Sequence, residues 1–334
     1  MAEDVRLVVD TVTRIDAAGR AVTLASGATV RYDYLIYALG SGSGDLRVPG
    51  AAEFAYPIAT LEAAQRLRPI VDAASATAPV TVVGAGPTGI ETAAELAETG
   101  RSVTLVCGQA LGPYLHSRGR RSVAGRLAAL GVTVLEGPGA TVTAVTADVV
   151  RLKDGRTLPS AVTVWSAGFG VPDVARRSGL STDGAGRLRT DETLTSVDDE
   201  RIVAAGDSAA PSDLPLRMSC QAAIPLGARA ADTVLSRVTG EPPSTVNELF
   251  VGQCISLGRR AGLVQFTDRH DVARWFHIGG RPGARLKEFV CRGTVRQLAG
   301  EARKPGSYRL HRAPGGAQRQ QLLQARRDGA PASR

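Results

Sequence analysis

Three features of the sequence predict an α/β fold. The first is the stretch Val80-Thr-Val-Val-Gly-Ala-Gly-Pro-Thr-Gly-Ile-Glu91. A β-branched run stops there at Gly84-x-Gly86-x-x-Gly89 and passes at once into a helical pattern from Thr88 to about Glu98. The second is residues 102–107, an apolar run that closes a β-α-β unit. The third is a set of three apolar strands that each end at glycine: 35–40, 161–168 and 201–207. Strand, glycine turn and helix in this order form the dinucleotide fingerprint in its structural context. Gly84 permits the tight turn, Gly86 lets a pyrophosphate approach the backbone, and Gly89 lets the helix pack on the strand. Pro87 and Thr88 open the helix, whose unpaired N–H groups and dipole favour phosphate. A tight turn without a ligand is the plainer alternative.

The other elements follow in order. Runs at 5–15, 21–24 and 29–32, separated by turn residues, read as an antiparallel meander. Residues 32–40 read as a strand that ends in a Gly/Ser loop, and 60–74 as a helix with Leu61, Ala64, Leu67, Ile70 and Val71 on one face. Residues 76–79 form a linker. After the fingerprint unit come a helix near 119–130, strands at 132–135, 140–146 and 148–152, a turn at Asp154-Gly155, and a strand at 161–165. Residues 188–194 read as a polar link, 201–207 as a buried strand, and 219–238 as a helix interrupted by Pro225. Glu241-Pro-Pro243 marks a boundary before a small mixed region. The composition beyond Tyr308 predicts disorder.

The chain has 334 residues, room for more than one core, and its 43% hydrophobic content excludes wholesale disorder. Aromatic content is only 4%, so aliphatic residues and Ala must fill the cores. The net charge of +8 gathers beyond Gly300, where acids are scarce. It suits solubility or an anionic surface, and no motif for nucleic-acid readout accompanies it. Cys107, Cys220, Cys254 and Cys291 form no CxxC pair or metal set, as expected of reduced thiols. With no signal-peptide pattern at the start and no apolar run near ~18 residues, the expectation is a cytoplasmic protein.

As an ordered set, Tyr34-Leu-Ile-Tyr-Ala-Leu-Gly40, Val82-Val-Gly-Ala-Gly-Pro-Thr-Gly-Ile-Glu91, Val164-Trp-Ser-Ala-Gly-Phe169 and Ile202-Val-Ala-Ala-Gly-Asp-Ser208 resemble the FAD- and NAD(P)-dependent pyridine nucleotide-disulfide oxidoreductases. Within that group the chain is most similar to type II NADH dehydrogenases and apoptosis-inducing-factor-like reductases, over about residues 5–300. The resemblance implies two Rossmann-like (three-layer ββα) dinucleotide-binding domains, the first incomplete, and a small C-terminal α+β domain. Residues 1–77 and 171–240 become the two parts of the FAD-binding domain. Residues 78–170 become the NAD(P)-binding domain, 241–311 the C-terminal domain, and 312–334 a disordered basic tail.

Site residues follow from the same resemblance. Asp207 is matched to the aspartate on a ribityl hydroxyl of FAD, with Gly206 giving close approach; a helix N-cap is its alternative. Ala38, Leu39 and Gly40 match a strand end against FAD, Leu39 standing where the family has Thr. Ala167 and Gly168 close a further glycine-ended strand against the cofactors. Gln221, in Ser219-Cys-Gln-Ala222, stands near flavin or a quinone head, or is an ordinary helix residue. Glu91 stands where nicotinamide meets flavin, or is a first-turn acid that complements the helix dipole.

Two departures stand out. Where the family has an acid for the adenosine ribose, this chain has Cys107, which leaves NADH or NADPH open. Arg118, Arg120 and Arg121 could meet a 2′-phosphate or simply form a solvated helix start. The family's opening strand–GxGxxG–helix unit for the FAD pyrophosphate has no counterpart ahead of Val5, so the expectation is an N-terminally truncated chain. The implied reaction is hydride transfer from NAD(P)H to FAD, with electrons passing to a quinone-like acceptor. A non-catalytic NAD(H)-binding remnant and a reductase for a ferredoxin-like protein are the alternatives. A homodimer is compatible with all three. Residues 285–298 pattern as a basic amphipathic helix, either lying on a membrane surface or facing the core.

Overall fold

The computed structural model describes residues 5–44, 46–247, 250–268, 271–308 and 318–328. The chain divides into two compact units: residues 42–169 with 251–294, and residues 1–41 with 170–250 and 295–334.

The first elements are the antiparallel meander β1 (Val12–Asp16), β2 (Ala21–Leu24) and β3 (Thr29–Arg31), then β4 (Leu35–Tyr37) and the short β5 (Gly42–Ser43). Next come α1 (Ala51–Phe54), β6 (Ala55–Pro57), α2 (Leu61–Ala73), β7 (Pro79–Val83), α3 (Pro87–Glu98), β8 (Ser102–Val106), α4 (Ser117–Ala129) and β9 (Thr133–Leu135). A second meander, β10 (Val142–Val145), β11 (Val149–Leu152) and β12 (Thr157–Pro159), leads to β13 (Val162–Trp165) and β14 (Phe169–Gly170). Then follow α5 (Val174–Arg177), β15 (Leu188–Thr190), β16 (Ile202–Ala204), β17 (Ala209–Pro211) and α6 (Cys220–Thr239). The last elements are β18 (Gly252–Ser256), β19 (Gly262–Thr267), β20 (Ala273–Ile278), α7 (Gly280–Arg303) and α8 (Gln318–Arg327).

In the unit that carries the fingerprint, a parallel sheet runs in the order β6-β13-β7-β8-β9. Its central strands β7 and β13 are buried on both faces, Thr81 and Thr163 included, as in a parallel sheet covered on both sides. On one face Val80, Val82, Val103 and Leu105 pack with Ile90 and Ala94 of α3 and Val123 and Leu127 of α4. On the other, Val83, Val106 and Trp165 pack with Val142, Val150 and Leu152 of the second meander. These are the three layers that the family resemblance implies. In the second unit β4 and β16 pair in parallel, Ile202 opposite Leu35 and Ala204 opposite Tyr37, so their glycine-ended tips lie side by side.

Several local expectations are corrected. Residues 5–11 form no strand; β1 begins at Val12, and Val5, Leu7, Val8 and Val9 are exposed. The expected polar link at 188–194 contains β15, with Leu188 and Leu194 both fully buried. Pro225 does not interrupt α6: it removes one intrahelical donor, but burial of Ala222, Leu226 and Ala230 holds the helix through to Thr239. The tail is not structureless throughout, because α8 lies in it. There Arg319 is buried, and its guanidinium is held by both Glu192 carboxylate oxygens at 2.6 and 2.9 Å. Residues 312–317 and 329–334 lie outside the described residues.

The region after Pro243 is also organised differently. The antiparallel β18-β19-β20 sheet joins the fingerprint unit, because Ile255, Leu257 and Leu263 enter the same core as Ile90 and Leu127. Residues 285–298 are helical within α7, yet exposed Phe289 and Leu298 are about two and a half turns apart, on opposite sides. They do not make one apolar stripe. Among the described residues no helix is long and apolar enough to cross a membrane.

Replacing Leu263 by Ala empties part of the shared core and is expected to cost about 2–5 kcal/mol of unfolding free energy in urea. A loss below about 1 kcal/mol would mean that the β18-β19-β20 sheet stands apart from that core.

Candidate functional site

The glycine turn is built by close approach. Gly84 has φ +113°, a left-handed conformation that glycine accepts readily. A Cβ there would stand 2.7 Å from Ser166 Oγ and 2.8 Å from the Ala167 nitrogen. At Gly89 a Cβ would lie 1.8 Å from the Gly84 carbonyl oxygen. Ser166 ties the turn to β13, its Oγ donating to the Val83 carbonyl at 2.9 Å. Gly86 differs from both. Its backbone is extended, and a Cβ there would meet nothing within 4 Å. The space beside Gly86, at the N-terminus of α3, is therefore open to an anionic group drawn by the helix's unpaired N–H groups and dipole. Pro87 begins the helix, where its missing N–H costs nothing. Thr88 lines a small, shallow cleft together with Ser43, Ile58, Trp165, Ala167 and Gly168.

Glu91 is not where a first-turn acid would be. The helix starts at Pro87, and its first turn holds no acid. Glu91 Oε1 instead accepts from the Ser256 backbone N–H at 2.9 Å and from Lys287 Nζ. The side chain is about one-third exposed and joins α3 to β18 and α7. Sequence reading gave no signal for Lys287 as its partner, since 196 positions separate the two.

Cys107 packs against the core at the end of β8. Burial, with the nearby Glu136 carboxylate adding to it, pushes its thiol up to about 12. Glu136 stands just past the end of β9 and accepts from the Leu111 backbone N–H at 2.5 Å. Of the arginines on α4, Arg118 turns toward Trp275, its guanidinium carbon 5.3 Å from the ring centroid.

The second unit gathers the other set. The Asp207 carboxylate accepts from Ser41 Oγ at 2.6 Å on Oδ2 and from the Ser219 backbone N–H at 3.1 Å on Oδ1. Asp207 is not the cap of α6; Ser219 is, its side chain accepting from the Ala222 N–H. Gly40 and Gly206 both have φ +67°, and Ala38 and Leu39 are exposed at the tip of β4. Gln221 is the second residue of α6, half-buried. Ala38, Leu39, Gly40, Gly206, Asp207 and Gln221 thus fall in one unit. Gly84, Gly86, Pro87, Thr88, Gly89, Glu91, Ala167 and Gly168 fall in the other.

With this geometry in place, residues 1–227 match the pyridine nucleotide-disulphide oxidoreductase family. The chain belongs to that family. It is similar to an NADH dehydrogenase-like protein of Mycobacterium tuberculosis, 34% identical over 252 residues that cover 69% of this chain and 62% of that protein. It is also similar to the type II NADH:quinone oxidoreductase of the same species, at 30% identity over 72% of this chain and 60% of that protein. The chain therefore spans about three-fifths of the length of these two family members. The fold is shared with NDH2 from Plasmodium falciparum, solved in complex with NADH. The TM-score is 0.69 at 16% identity, over 85% of this chain and 79% of that one.

Thiol reactivity tests the local environments. At pH 8, exposed Cys220 and Cys291 should react fast with a disulfide reagent. Cys107, whose titration lies at about 12, should stay protonated and react only on unfolding.

Proposed function

We propose that this chain carries the nicotinamide-binding and flavin-contacting residues of an FAD-dependent NAD(P)H oxidoreductase that delivers electrons to a quinone-like acceptor. The observation that carries the reading is the Gly84–Gly89 turn. Two of its glycines are demanded by packing, and the third, Gly86, faces open space at a helix N-terminus. Packing alone gives no reason for glycine at that position; a pyrophosphate does. Family membership and the type II NADH:quinone relative support the same reading.

The residues fit NAD(P)H in a defined way. The backbone at Gly86, Pro87 and Thr88 holds the pyrophosphate, and the cleft beside Thr88, Ala167 and Gly168 takes the nicotinamide end. For FAD the fit is to one part of the group. Asp207, held by Ser41 and Ser219, offers a carboxylate to a ribityl hydroxyl, and Gly40 and Gly206 let the backbone come close. Among the described residues of that unit no second strand–glycine turn–helix occurs to cradle the FAD pyrophosphate. The chemistry FAD supplies in such an enzyme is acceptance of a hydride and onward transfer of electrons. The chain's own residues bind and orient: Asp207 fixes the flavin chain, the glycine turn fixes the nicotinamide nucleotide, and Gln221 stands at the flavin end of α6. Glu91, braced by Lys287 and Ser256, holds α3 in place as a positioning residue.

Gly86→Val separates binding from folding. It should leave the melting temperature within about 2 °C, since the site is open, while weakening NADH and NADPH binding at least tenfold. Gly89→Val should instead lower the unfolding free energy by about 3 kcal/mol or more. A wild-type chain that binds neither nucleotide in a fluorescence titration would overturn the proposal. NADH oxidation by a short-chain quinone in the presence of added FAD, lost in Asp207→Ala, tests the flavin half.

A further inference from the structure

The end of β8 lacks the acid that selects between the two nicotinamide nucleotides, and Cys107 cannot replace it. A neutral thiol is a weak donor and acceptor beside a ribose hydroxyl. The adjacent strand supplies a carboxylate instead. β8 and β9 pair in parallel with Val106 opposite Leu135, and the Cys107 N–H donates to the Leu135 carbonyl at 2.8 Å. Glu136 is the next residue, so it stands beside Cys107 at the carboxyl edge of the sheet.

Its carboxylate is held over the loop that follows β8. Oε1 accepts from Leu111 N–H at 2.5 Å, while the residue as a whole remains exposed. The next N–H along, that of Gly112, donates to the carbonyl of Ala85 at 3.0 Å, between Gly84 and Gly86 of the turn. The acid is thereby stitched through one loop to the pyrophosphate turn itself. Gly108, between Cys107 and that loop, has φ +68° and open space where a Cβ would be. Of the candidate cations for a 2′-phosphate, Arg118 is turned toward Trp275.

We propose that Glu136 is the specificity-determining residue of the nucleotide site: it accepts from the adenosine ribose 2′-hydroxyl and repels a 2′-phosphate, so that the chain favours NADH over NADPH. This rests on the nucleotide reading of the Gly84 turn. An acid on the neighbouring strand can do the work of one at the end of β8 because parallel strands bring both tips to the same edge. A hydroxyl donating to a carboxylate is a charge-assisted bond, whereas two anions at the same distance repel.

The test is equilibrium titration of the chain with NADH and with NADPH, followed by nucleotide fluorescence, so that no flavin turnover is needed. The wild type should bind NADH at least about tenfold tighter, the size of one hydrogen bond to a charged group. Glu136→Gln keeps an acceptor for Leu111 N–H but loses the charge, and should shrink that ratio by about tenfold. Glu136→Asp keeps the charge and should retain the preference. A role confined to bracing the loop would change both affinities equally and leave the ratio untouched, which overturns the proposal. So does a wild type that binds the two nucleotides equally or prefers NADPH. Binding of neither by the wild type fails at the earlier step, the nucleotide reading itself.

Discussion

The contact between α3 and the end of β7 sets the terms for the fingerprint unit. The Gly84 carbonyl comes so close to the α carbon of Gly89 that no side chain fits between them. The helix can therefore begin directly off the sheet, which aims its unpaired N–H groups at the space beside Gly86. Ser166 fastens the same turn to β13. Strand order follows: β13 lies beside β7, so the strand that ends in Ala167-Gly168 forms the other wall of the cleft.

The far end of α3 is fixed by charge as well as by packing. Glu98 meets Arg126 of α4 at 3.1 Å, and its other oxygen accepts from the Arg259 N–H at 2.5 Å. With Glu91 bound to Lys287 and Glu95 to Arg259, all three of the helix's acids face residues that come more than 150 positions later. Such part-exposed pairs contribute little net stability each. Their value is alignment: they hold the β18-β19-β20 sheet over the helix while Ile255, Leu257 and Leu263 supply the buried area.

The parallel sheet and its glycine turn were legible in the sequence because a local pattern specifies them: a β-branched run, three glycines at fixed offsets, then helical periodicity. The glycine-ended strands 35–40 and 201–207 were legible for the same reason, although β4 and β16 are shorter in the structure. What escaped was set by distant partners. Leu188 belongs to a strand because β17 lies beside it, and Leu194 is buried without belonging to any regular pattern. Arg319 orders part of a tail of disordered composition because Glu192 waits for it. Glu136 carried no sequence signal, since its place beside Cys107 comes from pairing between β8 and β9 rather than from spacing along the chain.

The chain holds two tryptophans. Trp165 is 7% exposed in the wall of the cleft, its indole N–H donating to the Ala167 carbonyl at 3.0 Å, while Trp275 is 62% exposed. The molecule therefore carries one fluorophore in the wall of the cleft beside the glycine turn and a second one largely in water. The dry indole emits to the blue of the wet one, so the two can be separated by wavelength. A group entering the cleft would meet the dry indole directly, and the wet one would report on the β18-β19-β20 sheet instead.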